Sequence, residues 1–135
     1  MTQVISVRRR RDDRTRHTVP GLFPGSLRAH YDAFASSIAA AGGAEEQFAR
    51  TQVAYRVKRQ FAWLTPVTRA RSLLTLDMYE PHEDPVVDEI IPFRADKFTH
   101  QITVDSAETI TLVANRNWFE LARAWGGKEG SSARR

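Results

Sequence analysis

The side chains best suited to chemistry are concentrated in one acidic segment that also holds a histidine. Seven groups of the kind that ligate metals fall within residues 77–89: Asp77, Glu80, His82, Glu83, Asp84, Asp88 and Glu89. Carboxylates at this density can hold a hard divalent cation, and an imidazole extends the range to iron or zinc. The spacing lacks the glycine and the terminal glutamate of a calcium loop. We therefore expect a solvated loop that balances nearby arginines, with metal binding as the alternative.

A second group of candidates combines aromatic and cationic side chains around two neighbouring strands. Its members are Tyr55, Arg56, Lys58, Trp63, Arg71 and, from a later strand, His100. Sheets that bind single-stranded nucleic acid mix stacking aromatics with cations in this way. Residue alternation nevertheless puts Tyr55 on the face opposite to Arg56 and Lys58, which predicts an ordinary amphipathic hairpin. The alternative is a pocket that holds a small anionic ligand.

Arginines are concentrated at the start of the chain, outside the segments with regular periodicity. Residues 1–17 hold six arginines against two aspartates, for a net charge of +4: Arg8, Arg9, Arg10, Arg11, Arg14 and Arg16. Residues 126–135 add +2, which leaves −2 for residues 18–125 of a chain whose total is +4. Such an arm can neutralise phosphates in a non-specific, steeply salt-dependent way. The competing interpretation is a solubilising tail.

Known catalytic motifs are absent from the sequence. It contains no cysteine, which excludes disulfides and thiolate metal sites. The nucleophile elbow, the Gly-rich phosphate loop and the His-Glu-x-x-His pattern are also missing. His100 alternates with Ile102 and Val104, which predicts a histidine at the edge of the core bonded to a backbone group. An enzyme is thus unsupported, and no cofactor is expected.

Hydrophobic periodicity predicts helices at both ends of the body and strands between them. Leu27, Tyr31, Phe34 and Ile38 share one helical face, so we place a helix at about residues 26–41 with Ser26 as its N-cap. Residues 44–50 are interpreted as a polar link that can hold a helical turn. Alternation indicates strands near residues 53–58, 61–64, 73–78 and 100–104, with brief pairing near residues 86–91. A last helix occupies residues 106–126 with a break near Asn115, although residues 109–113 also suit a strand.

This order of elements indicates an α+β fold. Mostly sequential strands between terminal helices predict an antiparallel sheet of about four to five strands, with the helices packed on one face, in the order α-β-β-β-loop-β-α. We expect a basic flexible arm at residues 1–19, a single domain at 20–126 and a flexible basic tail at 127–135. No run approaches the ~20 apolar residues of a membrane helix, so we expect a cytoplasmic protein that does not bind membranes.

The core-type residues of this pattern form a recognisable set. The most telling piece is the strand Ala54-Tyr55-Arg56. The other positions are Phe23, Gly25, Leu27, Tyr31, Ile38, Gly42, Phe61, Ala62, Leu74, Leu76, His100, Ile102, Val104, Ser106, Ala124 and Trp125. Over about residues 20–126 the set resembles an uncharacterised, mainly bacterial family, domain of unknown function 5655. The long acidic segment 80–97 and the arginine-rich ends depart from the family pattern. The resemblance implies a fold and transfers no catalytic residue.

The sequence therefore favours a non-enzymatic binding or interaction module. Its partner would be another protein or a small anionic ligand, and exposed tryptophans of the last helix would favour a homodimer. The alternatives are a nucleic-acid-associated protein that acts through the arginine arm and a metal-binding protein that uses the acidic segment 77–89.

Overall fold

The computed structural model describes residues 19–129, which form one antiparallel sheet and the helices beside it. In chain order the elements are α1 (Val19–Leu22), α2 (Leu27–Ala40), β1 (Glu45–Phe48), β2 (Val53–Arg56), β3 (Gln60–Pro66), β4 (Ser72–Met78), β5 (Glu89–Arg94), β6 (Lys97–Val104), α3 (Ala107–Asn115) and α4 (Trp118–Gly126). The predicted α+β class is confirmed. Residues 1–18 of the predicted arm and residues 130–135 of the predicted tail lie outside the described residues.

The sheet has six strands in the order β1-β2-β3-β4-β6-β5, all antiparallel. This exceeds the predicted four to five, because residues 45–48 form a short edge strand where we had expected a polar link. The consecutive glutamates Glu45 and Glu46 are both exposed there, so no apolar alternation marks the strand. At the other edge, β5 carries Pro92, and its pairing shifts register between Pro92 and Arg94.

One face of the sheet carries the core. Residues opposite one another in the register alternate between fully buried and half-buried, so that Leu74 and Ile102 are buried while Leu73 and Thr103 are only partly covered. Helices α2, α3 and α4 pack over the buried face. There Phe34 meets Tyr55 edge-on, with ring centroids 5.0 Å apart. The opposite side, which we call the open face, carries mainly partly covered residues, with the buried pair Asp77 and Thr99 as an exception.

The last helical region is broken near the expected place. Helix α3 ends at Asn115 and α4 begins at Trp118, with Asn117 in the left-handed conformation at φ 62°. Asparagine is among the few residues that adopt this conformation readily. The strand interpretation of residues 109–113 is wrong, because Ile110 and Val113 are buried three residues apart, as a helix requires.

Helix α2 follows the prediction to within one residue at each end, and Ser26 occupies the N-cap position as predicted, but without the expected capping bond. The Ser26 hydroxyl makes no capping bond to a first-turn amide. It donates instead to the carbonyl of Arg69, 3.2 Å away, and so ties the start of the helix to the turn between β3 and β4.

A bulge between β2 and β3 sets the direction of Trp63. Tyr55 pairs with Ala62, whereas Arg56 pairs with Gln60, so Phe61 is an extra residue in β3. Phe61 and Ala62 are both fully buried. Regular alternation along residues 61–64 would put Phe61 and Trp63 on one face. The bulge instead turns Trp63 to the open face, opposite in direction to Tyr55.

Gly126 in α4 gives Phe61 the room it occupies. A Cβ atom at Gly126 would lie 2.5 Å from Phe61 Cδ1. We expect Gly126→Ala to lower the free energy of unfolding by about 1–3 kcal/mol through overpacking, measured by urea denaturation. Gly127→Ala is the control, because the nearest atoms to its Cβ would belong to the flexible side chain of Glu129. Equal losses in both variants would contradict this account.

Candidate functional site

A cavity of about 250 Å³ lies on the open face of the sheet. We call it the open-face pocket. Its lining residues are Gln52, Trp63, Thr75, Asp77, Phe93, Lys97 and Thr99. Four neighbouring strands supply most of these side chains, because Trp63 pairs with Thr75 and Asp77 pairs with Thr99 in the register.

Asp77 is the unusual residue of the open-face pocket. Its carboxylate is only 2% exposed. One oxygen, Oδ1, accepts a hydrogen bond from the Thr99 hydroxyl at 2.5 Å, and the other, Oδ2, lies 3.9 Å from Lys97 Nζ. Burial raises the pKa of Asp77, while the Thr99 hydrogen bond and the Lys97 charge act in the opposite direction. The fold therefore keeps a carboxyl group where ionisation is disfavoured.

Lys97 brings a positive charge to the same place and is held between aromatic rings. Its Nζ lies 4.8 Å from the Phe93 ring centroid and 5.5 Å from that of Trp125. Arg59 stacks on Trp125 at 3.4 Å, and the Trp125 indole donates to the carbonyl of Asp96. These contacts fix the ammonium beside Asp77 more firmly than a free lysine on the surface would be fixed.

Trp63 forms a wall of the pocket whose orientation is fixed by amides. Its indole Nε1 donates to Gln60 Oε1 at 3.2 Å, and Gln60 Nε2 donates to Gln47 Oε1 at 2.7 Å. Phe93 stands at the other side of the pocket with 60% of its surface exposed. Two aromatic rings thus flank a polar floor, an arrangement that can contact a planar ligand on its apolar faces.

The six sequence-predicted candidates do not come together in one site. Trp63 lines the open-face pocket, whereas Tyr55 and His100 lie on the core side of the sheet. Arg56, Lys58 and Arg71 are exposed, and the Arg71 guanidinium pairs with Asp105 at 2.8 Å. The predicted separation of Tyr55 from the two outward cations agrees with the structure.

Tyr55 belongs to a hydrogen-bonded cluster at the edge of the sheet. Its hydroxyl and that of Tyr31 both donate to Glu46 Oε2, at 2.7 and 2.5 Å. Burial, followed by the hydrogen bond to Glu46, raises the pKa of Tyr55, and the same two causes raise the pKa of Tyr31 to about 12. The cluster holds α2 against β1 and β2.

His100 is fully buried with both ring nitrogens engaged by backbone groups. The backbone N–H of His82 donates to Nε2 at 3.0 Å, and Nδ1 lies 3.0 Å from the carbonyl of Phe98. Because Nε2 accepts, the neutral ring carries its proton on Nδ1. Burial lowers the pKa of His100. The side chain thus joins the loop after β4 to the sheet.

The acidic segment uses several of its carboxylates internally. Asp84 accepts from Arg116 at 2.8 Å and from the backbone N–H of Val86, and Asp88 accepts from the backbone N–H of Thr103. Across residues 19–129, no group of three or more histidine, aspartate or glutamate side chains is placed to hold a metal ion. Asp77 itself turns away into the open-face pocket. The expected balance of arginine by this segment is visible in the Asp84–Arg116 pair.

Sequence reasoning missed most of the pocket. Gln52, Phe93, Lys97 and Thr99 carried no motif, and Asp77 was grouped with its neighbours in the chain. The available signal was Asp77 as the one charged residue of β4, at a position that alternation places away from the core. A buried pair, His30 Nδ1 and Ser72 Oγ at 2.9 Å, was also missed. Both residues are almost inaccessible, so the pair fastens α2 to β4.

Between residues 19 and 129, no helix has the length and apolar character needed to cross a membrane. The described residues form a small α+β fold with a cavity of about 250 Å³ on the open face of an antiparallel sheet. A family model described as Domain of unknown function (DUF5655) matches residues 21–122. The chain therefore belongs to that family, which confirms the resemblance inferred above; neither the curated proteins nor the solved structures give a match.

The raised pKa of Asp77 predicts a pH-dependent stability. At pH values between the ordinary pKa of 3.8 and the raised pKa of folded Asp77, the folded state holds a proton that the unfolded state has released. Stability should therefore fall as pH rises through this window, and Asp77→Asn should remove that fall and be more stable at pH 7. Thermal unfolding from pH 3.5 to 8 measures the effect. Asp32→Asn, which removes the same charge from an exposed helix position, is the control, and parallel profiles would contradict the prediction.

His100 predicts a specific spectroscopic signature. Long-range ¹H–¹⁵N spectra at pH 6.5 should show its Nδ1–H tautomer, because Nε2 is occupied by a backbone donor. The lowered pKa keeps the ring neutral in the folded state just below pH 6.5, where the unfolded state already binds a proton. The contribution of His100 to folding stability therefore decreases as the pH falls through this range. An Nε2–H tautomer or an imidazolium at that pH would refute the assignment.

Proposed function

We propose that this domain is a non-enzymatic binding module that holds a small ligand in the open-face pocket. The observation that carries the proposal is Asp77, a carboxylate buried to 98% within a cavity rather than within the core. Burying a charge costs several kcal/mol and contributes little to stability even when it is paired. A buried carboxyl that also faces a cavity is a candidate for recognition.

The remaining lining residues support recognition of a small molecule. Lys97 and Gln52 offer hydrogen-bond donors, and the Gln52 Oε1 atom is held by the Thr65 hydroxyl at 3.2 Å. Trp63 and Phe93 offer apolar surface on either side. A cavity of about 250 Å³ is at the small end of ligand pockets, which usually span ~300–1,000 Å³. The ligand we propose is accordingly smaller than a typical cofactor.

The exposed cations among the sequence candidates suggest a competing location on the outside of the hairpin. Arg56, Lys58 and Arg71 face solvent, and an anion bound there would gain little from charges that water already screens. The positive charge we assign to ligand binding is therefore that of Lys97, whose side chain is 25% exposed and contacts two aromatic rings.

A fragment screen by protein NMR tests the location. We expect small planar heterocycles to shift the Trp63 indole N–H and the backbone amides of Thr75 and Thr99. Trp63→Leu should weaken each hit by about tenfold, since an aromatic contact contributes ~1–3 kcal/mol. Arg71→Gln is the matched control and should leave binding unchanged. Shifts confined to Arg56, Lys58 and Arg71, or an Arg71→Gln variant that no longer binds, would place the site elsewhere.

A further inference from the structure

We infer that the open-face pocket takes an uncharged planar ring whose edge carries adjacent N–H and C=O groups, as in a pyrimidine base. This inference rests on the proposed function, because it names the class of ligand for the same pocket. The ring is to be recognised by Asp77 and Lys97 at its edge and by Trp63 and Phe93 at its faces.

The spacing of the two charged groups argues for a third group between them. Asp77 Oδ2 and Lys97 Nζ are 3.9 Å apart, beyond the ~2.7–3.2 Å of a hydrogen bond. Asp77 Oδ1 is already used by Thr99, so Oδ2 is the oxygen that can accept from a ligand. A lysine ammonium has three donors. The pocket therefore presents one acceptor beside one donor, and an amide edge in a ring presents the complementary pair.

The balance of charge argues against an ion as the ligand. A carboxylate and an ammonium side by side give the pair a net charge near zero. An anionic ligand would meet Asp77 Oδ2, and a cationic ligand would meet Lys97, each in a partly desolvated place where like charges repel strongly. A neutral group with a strong local dipole satisfies both partners at once.

The strand order argues for a ring. Trp63 lies on β3 and Phe93 on β5, the outer two of the four strands in the order β3-β4-β6-β5. The polar pair of Asp77 and Thr99 lies on the two strands between them. Aromatic side chains on a sheet face stack on nucleobases in this way.

The volume argues for a single ring. About 250 Å³ corresponds to roughly eight water molecules at ~30 Å³ each, room for one small heterocycle but not for a sugar and a phosphate as well. The base could be a free base, a nucleoside with its sugar in solvent, or one base of a single strand. The ring chemistry is common to all three.

Titration of the full-length protein with matched probes tests the class of ring, with the Trp63 indole N–H as the readout. Uracil should bind, and 1,3-dimethyluracil, which keeps the ring and both carbonyls but lacks N–H, should bind at least about tenfold more weakly because Asp77 loses its donor. Benzoate and benzamidinium, planar ions of similar size, should also bind more weakly than uracil. Equal binding of 1,3-dimethyluracil, or tighter binding of either ion, would overturn the inference.

Two variants reverse the charge balance and separate recognition from folding. Lys97→Met leaves the pocket negative and should shift preference toward benzamidinium, whereas Asp77→Asn leaves it positive and should shift preference toward benzoate. A dispersed spectrum shows that each variant is folded, and a variant that gains a ligand cannot have lost its site. Unchanged preferences in both folded variants would overturn the assignment of these two residues.

The outcomes for the ring and for the pocket are distinguishable. If an ion or 1,3-dimethyluracil shifts Trp63 as strongly as uracil, the pocket is supported and the ring class is wrong. If no probe shifts Trp63, both proposals fail. Uridine and an oligouridylate of about eight nucleotides identify the source. Binding of the oligomer at least about tenfold tighter than uridine supports a strand as the source, and equal binding supports a free base or nucleoside.

Discussion

The pairing of β4 with β6 joins the two halves of the described chain. Seven residue pairs, from Ser72–Val104 to Met78–Phe98, bring together segments separated by the acidic loop and by β5. The two members of a pair point to the same face of the sheet, and successive pairs alternate between the core face and the open face. Leu74 opposite Ile102 fills the core, and Asp77 opposite Thr99 forms the floor of the pocket. A slip of one residue in this register would exchange the two sets and destroy core and pocket together.

The two faces of the sheet differ in how their polar groups are hydrogen-bonded. On the core face, helices α2, α3 and α4 cover apolar side chains, and the buried polar groups there, His30 and His100, are bonded to a hydroxyl and to backbone groups. On the open face the polar groups retain unused hydrogen-bonding capacity beside aromatic rings. A protein under selection for stability alone gains nothing from Asp77 at this position, since a neutral residue of the same shape would avoid the desolvation cost.

Much of the fold could be predicted from the sequence, because periodicity reports burial. The apolar spacing of Leu27, Phe34 and Ile38 located α2, and alternation located β3, β4 and β6. The edge strand β1 was missed because solvent on one side leaves Glu45 and Glu46 without an apolar pattern. The bulge at Phe61 was missed because alternation assumes regular pairing, and the single extra residue reversed the expected direction of Trp63.

The pocket was less predictable than the fold for a geometric reason. Its polar pair comes from residues 77 and 99, and its rings come from residues 63 and 93, so only the strand register places them together. A short stretch of sequence contains no trace of that proximity. The acidic segment, by contrast, was conspicuous in the sequence, yet Asp84 and Asp88 serve to fasten loops.

The two edge strands, β1 and β5, limit how copies of this protein can associate. β1 is four residues long and begins with two like-charged glutamates, while β5 contains a proline and an irregular register. Neither edge offers the long, flat row of amides and carbonyls on which a further strand could grow. Edge-to-edge pairing of sheets into fibres is therefore disfavoured at high protein concentration. A dimer of this domain would have to form through side-chain contacts rather than through a β-sheet shared between two copies.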